Sequence, residues 1–353
     1  MRILITNVSG IEKARELGIS MAATNFSHNL LSGGIFDKAY AILPTFVRNR
    51  PSEKVACETI NVQYSFLRNT PFFRLAPIME QVTLFWKIPR KANVWLYNLT
   101  ILNALFIKLI RWFKPSVKIF PIVLDFTPGD PTSEMWLPLI NSCNGRICLS
   151  TSDRFSKVNS AILPGVVPAD DTKKPTVHAY KPTFLISGQL SDNISLLSRL
   201  LPVFSQIPES TLNITGNAPQ MAFDYASKYP NIVCHGNVDY GTFLSILHDS
   251  TFLLSTRDPD MPENQCNFPS KIIEGLLNNR IIISTIDYPQ LNDIKYLKID
   301  ANNMERNIHE IISMSPKVLE QYSNQGDAVR KAFSTDIWDA TMKRIENNAT
   351  RHA

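Results

Sequence analysis

Lys271 and Glu274 stand one helical turn apart, directly after Asn267-Phe268-Pro269-Ser270. Apolar runs at 252–254 and 281–283 flank the segment, so it reads as strand, loop, helix, strand. Pro269 has the fixed backbone angle that suits a first turn, and Ser270 can supply an oxygen to the exposed amides there. A helix start carries unpaired N–H groups and the positive end of a dipole, and Lys271 adds a full charge. Glu274 falls on roughly the same face as Lys271. That layout suits a nucleoside diphosphate, with the phosphates on amides and lysine and the ribose hydroxyls on the carboxylate. The competing reading is an ordinary capped helix with a surface Lys and Glu.

The run Asn267-Phe268-Pro269-Ser270-Lys271-x-x-Glu274 resembles the donor loop of GT-B retaining glycosyltransferases of the family-4 type. In that resemblance Glu274 matches the glutamate that holds the ribose, and Phe268, Pro269 and Ser270 occupy the turn that holds the donor phosphates. Cys266 stands where the family has its first loop glutamate. Gly188 matches the glycine that lets the backbone approach the phosphates. Gln189 and Ile194 occupy the two positions where the family carries cations, so Lys271 and helix N-termini must do more of the work. The loop at Gly236 and Val238 matches the one beside the nucleobase, and Gly18 matches a glycine against the donor phosphates. Asp125 matches a polar position facing the sugar or the acceptor, with Leu124 in place of a histidine. From the residues alone, Asp125 either hydrogen-bonds a sugar, receives an acceptor proton, or caps a turn.

The resemblance implies a sugar transfer from a nucleoside-diphosphate sugar to a glycan or polyprenyl-linked acceptor in polysaccharide synthesis. It further implies retention at the anomeric carbon, no cofactor and no metal. Two other classes remain open: a nucleotide-sugar epimerase of the same fold, and a degenerate nucleotide-binding partner subunit, which the residues at 189, 194 and 266 favour.

With 353 residues the chain has room for two domains with separate cores, and 44% hydrophobic residues mark it as globular. Five cysteines, Cys57, Cys143, Cys148, Cys234 and Cys266, form no Cys-x-x-Cys pair. That argues against a disulfide scaffold or zinc site and fits a reducing cytoplasm. Residues 1–5 read as a first strand rather than a signal peptide. Net charge is +5, yet residues 51–118 hold ten Lys/Arg against three Asp/Glu. Such a segment suggests an anionic partner, whether phosphates, nucleic acid or a membrane surface; an anionic membrane surface is the expected partner and nucleic acid is not. Phe72-Phe73-Arg74 and Phe85-Trp86-Lys87 read as interfacial loops. Leu102, Leu105, Leu109 and Phe113 follow the spacing of a helix packed on a sheet, and the core reading is preferred for them.

Strand and helix patterns alternate through the chain, which predicts α/β architecture: two Rossmann-like domains with parallel sheets, facing across a cleft as in GT-B folds. The expected organisation is an acceptor-side domain at 1–165, a Pro-rich linker at 166–182 and a nucleotide-sugar domain at 183–333. The last helix, 334–353, is expected to return to the first domain.

Overall fold

The computed structural model describes residues 1–8, 10, 14, 21–48, 60–99, 102–149, 151–155, 159–168, 171–172, 180–191 and 194–351. Gly18 and Cys57 lie outside the described residues. The chain divides into two units, one of Met1–Asp171 with Phe333–Ala353 and one of Thr172–Ala332.

In chain order the first unit contains β1 (Arg2–Thr6), α1 (Met21–Ser32), β2 (Lys38–Ile42), β3 (Ile60–Gln63), α2 (Ala76–Lys87), β4 (Asn93–Tyr97), α3 (Leu102–Phe113), β5 (Lys118–Val123), α4 (Pro131–Asn141), β6 (Arg146–Cys148) and β7 (Ser160–Ile162). Its strands are all parallel in the order β3-β2-β1-β4-β5-β6-β7. Ile3, Leu4 and Val94 are fully buried, the signature of a sheet covered on both faces. Helix α1 stops where Gly34 takes φ +64 and donates its N–H to Leu31 O, a glycine C-cap.

The second unit contains β8 (Thr183–Gln189), α5 (Leu197–Ser205), β9 (Thr211–Asn217), α6 (Gln220–Lys228), β10 (Ile232–Gly236), α7 (Tyr240–Asp249), β11 (Phe252–Ser255), α8 (Pro262–Cys266), α9 (Ser270–Leu277), β12 (Ile281–Ser284), β13 (Leu297–Lys298), α10 (Met304–Ile312), α11 (Pro316–Ser323) and most of α12 (Gly326–Phe333). Its sheet is also parallel, in the order β10-β9-β8-β11-β12-β13. In both sheets the order reverses once, between β1 and β4 and between β8 and β11. Loops at the carboxyl ends of those strands diverge and leave a crevice, the place where open α/β sheets hold ligands.

Helix α13 (Thr335–Arg351) clusters with the first unit. Trp338 is fully buried, donates its indole N–H to Gly165 O at 2.9 Å and meets Phe26 edge-on. Arg2 forms ion pairs with Asp339 and Glu346, and Glu346 also accepts from the Trp95 indole.

The division between the units, Asp171 to Thr172, falls within the stretch 166–182 read as linker, at whose start Val166 and Val167 are buried and Val167 bridges to Ser334. Two expectations give way. Phe85-Trp86-Lys87 ends helix α2 instead of forming a loop, with Phe85 buried and Trp86 outside. On α3 the buried face is Phe106, Ile107 and Ile110, whereas Leu105 and Phe113 are exposed. The apolar stripe read from the sequence is one step around the helix from the true core face, because this helix is apolar on both sides.

Candidate donor-binding site

The carboxyl end of β8 sits at the switch point of the second sheet, and its sequence is Ser187-Gly188-Gln189. Gly188 takes φ +123 and its register partner Gly216 takes φ +109, a conformation open to glycine. A Cβ on Gly216 would lie 2.3 Å from Gly188 O, so two backbones approach where no side chain fits. A Cβ on Gly188 would meet the Lys271 side chain at 3.4 Å. The lysine thus packs directly over the Gly188 backbone.

Lys271 lies in the first turn of α9 and reaches back to β8, donating from Nζ to Ser187 Oγ. Its ammonium stands 4.9 Å from the centre of the Phe243 ring on α7. Burial pushes the Lys271 pKa below its usual value, with the charge of Glu274 opposing. Burial likewise raises the Glu274 carboxyl, opposed by a hydrogen bond from Tyr240 and by Lys271. Both groups are thus costly to keep charged without a ligand, as expected of a site built to receive opposite charge and hydroxyls. Pro269 is the N-cap of α9, and no side chain caps the first turn. Ser270 is therefore not the cap its sequence position implied. It is the exposed first residue, and it leaves the first-turn amides without a side-chain partner.

The loop before α9 is held from below. Phe268 is buried edge-on against Tyr288, 5.2 Å between ring centres, and the Tyr288 hydroxyl pairs with Ser255 Oγ at the end of β11. Arg257 donates to Asn264 Oδ1 and to the Asn267 carbonyl. Cys266 ends α8 and is half-buried. Gly236 ends β10 with φ +63 over the edge of the Phe223 ring, and Val238 follows, just before Asp239 caps α7. The structure therefore gathers Gly188, Lys271 and Glu274 through direct neighbours. Phe268, Asn267 and Pro269 form the loop leading into them, while Gly236 and Val238 end an outer strand of the same sheet.

Three participants escaped sequence reading. Tyr240 and Phe243 come from α7, where an i, i+3 aromatic pair looks like ordinary core spacing. Gly216 resembles any strand glycine until its contact with Gly188 is known. Two further signals are the hydroxyls of Thr215 and Thr256, buried near the ends of β9 and β11 with no hydrogen-bond partner among the described residues. Buried orphans of this kind call for a ligand or water.

In the first unit, Asp125 follows β5 and is exposed on a cavity of about 160 Å³ lined also by Asn98, Phe126, Ser133 and Trp136. Asn98 takes φ +51 at the end of β4. Burial holds the Tyr97 hydroxyl well above its usual pKa, and the charge of Asp125 adds to it. Asp130 caps α4 by accepting from Ser133 N at 2.7 Å.

No family model matches the sequence, and no curated protein matches it. Solved structures do match its fold. HepE from Anabaena in complex with UDP superposes with a TM-score of 0.66 at 13% identity, covering 98% of this chain and 100% of its own. The α,α-trehalose 6-phosphate synthase of Burkholderia multivorans gives 0.66 at 10% identity, covering 100% and 99%. AviGT4, a glycosyltransferase of avilamycin A biosynthesis, gives 0.58 at 11% identity, covering 99% and 98%. The likeness runs the length of both chains and establishes the fold: two Rossmann-like units of the GT-B type.

Proposed function

We propose that the protein transfers a sugar from a nucleoside-diphosphate sugar to a glycan or polyprenyl-linked acceptor. One observation carries the reading. Gly188, Lys271 and Glu274 meet at the switch point of a sheet whose fold is shared with proteins solved holding UDP or UDP-glucose. In this reading the diphosphate lies on the Gly188 backbone, the first-turn amides of α9 and Lys271. The ribose hydroxyls take Glu274, displacing the hydroxyl of Tyr240. The base lies by Gly236 and Val238.

Lys271 and the helix start would neutralise the leaving diphosphate, which makes a metal unnecessary. The leaving phosphate would itself take the proton of the incoming hydroxyl on the same face, giving retention without a protein nucleophile. Asp125 would bind the sugar or acceptor. Free cysteines suit a cytoplasmic setting, and the product class would be a polysaccharide or its lipid-linked precursor.

A second reading is favoured by Gln189, which is tied to Asn217 at 3.0 Å where a cation is expected, and by Cys266. It is a nucleotide-binding subunit without turnover. A panel of nucleotide sugars, uridine donors first, separates the classes. Slow release of nucleoside diphosphate supports a transferase, sugar interconversion an epimerase, and binding without turnover the inactive subunit.

A further inference from the structure

Helix α2 is apolar on both sides. Its buried face carries Leu84 and Phe85 together with Glu80 and Gln81, while Ile78, Met79, Val82 and Trp86 project outward. Phe72 and Leu75, just before the helix, are exposed as well, and Trp86 is 75% exposed. Glu80 is fixed by an ion pair with Arg68, both side chains 1% exposed. Arg68 also donates to the carbonyls of Leu43, Pro44 and Val47, and Glu80 accepts from Ser65 N. This internal polar clamp anchors the helix and leaves its apolar stripe in water. On α3, Trp112 and Phe113 are exposed as well, and Phe113 meets the ring of the buried Phe85.

Charge frames the same surface. Arg74, Lys87, Arg90, Lys91, Lys108 and Arg111 are exposed in the segment. Between residues 60 and 118 the sole acidic residue is Glu80, and it is buried on Arg68. The exposed part of this segment therefore carries no carboxylate of its own. Protein interfaces are depleted of lysine, whereas a headgroup layer accepts tryptophan and rewards each basic residue.

We propose that this face docks on an anionic lipid bilayer, with Trp86, Val82, Ile78 and Phe72 entering the headgroup boundary and the basic side chains bound to lipid phosphates. Helix α2 would lie in the interface plane. No helix among the described residues is long and apolar enough to cross a membrane. Docking needs no sugar transfer, so its failure would leave the donor site untouched.

The test is flotation of the full-length protein with vesicles of phosphatidylcholine alone or with phosphatidylglycerol added. The protein should float with the anionic vesicles at low salt, float poorly with the neutral ones, and partly dissociate at high salt. Replacing Arg74, Arg90 and Lys91 with glutamine should weaken partitioning on the order of 100-fold, at about fivefold per basic residue. Lys87 is spared because it donates to Gln63. A separate variant, I78S/V82S/W86S, should abolish the salt-resistant fraction. Thermal melts that match the parent show that either loss is not unfolding. Equal flotation with neutral vesicles, no flotation at all, or a dimer in sedimentation that W86S dissociates would overturn the proposal.

Discussion

Glu274→Gln separates binding from stability. The change keeps the shape of the side chain and its capacity to accept from Tyr240, but removes the charge. A hydrogen bond to a charged group is worth about 1.5–3 kcal/mol and a neutral one about 0.5–1.5. The loss of roughly 1–2 kcal/mol should weaken a nucleoside diphosphate about 5- to 30-fold. Stability should move the other way. Burial raises the Glu274 pKa above its unfolded value near 4.5, so its ionised form disfavours folding at neutral pH. That cost develops as pH rises from about 4.5 through the raised folded value, and it is relieved as pH falls back through it. The variant should therefore melt above the parent at pH 7, with the gap closing in acid. Isothermal titration and thermal melts across pH measure both effects. Unchanged affinity, or a lower melting temperature at pH 7, would make Glu274 a structural partner of Lys271 rather than a ribose ligand.

Diphosphate affinity should fall as pH rises through the lowered pKa of Lys271, earlier than an ordinary lysine would dictate; a Lys271→Met titration should lack that fall. Gly216→Ala should destabilise by about 1–3 kcal/mol or more, since φ +109 and a 2.3 Å contact with Gly188 O both oppose a methyl group; denaturant melts read it. Asp125→Asn should lower turnover with acceptor while leaving nucleoside-diphosphate affinity unchanged, as measured by initial rates and calorimetry on the same preparation.

The alternation of apolar runs is enough to give two parallel sheets, because strands buried on both faces read as unbroken Val, Ile and Leu. Helices α5, α6, α7 and α9 fit the same alternation of strand and helix patterns. Helix α2 was not legible. Its buried face mixes Leu84 and Phe85 with Glu80 and Gln81 while Ile78, Val82 and Trp86 lie outside, so no single apolar face reads from the sequence, and the burial of Glu80 depends on its ion pair with Arg68. Helices α10, α11 and α12 were not legible, because they are short and polar outside. At the site, Lys271 and Glu274 were legible because they share one helix. Tyr240, Phe243 and Gly216 were not, since they come from other elements of the sheet and its covering helices and meet that helix only in the folded chain.

The central claim is that the switch point of the second sheet binds the diphosphate of a nucleotide sugar. The most direct measurement is calorimetry of UDP and of uridine against the parent protein and Lys271→Ala. The parent should bind UDP, and the variant should lose on the order of 10- to 100-fold for UDP, as expected for a lost charge-assisted bond, while binding uridine as before. An absence of UDP binding by the parent, or equal losses for UDP and uridine, would contradict it.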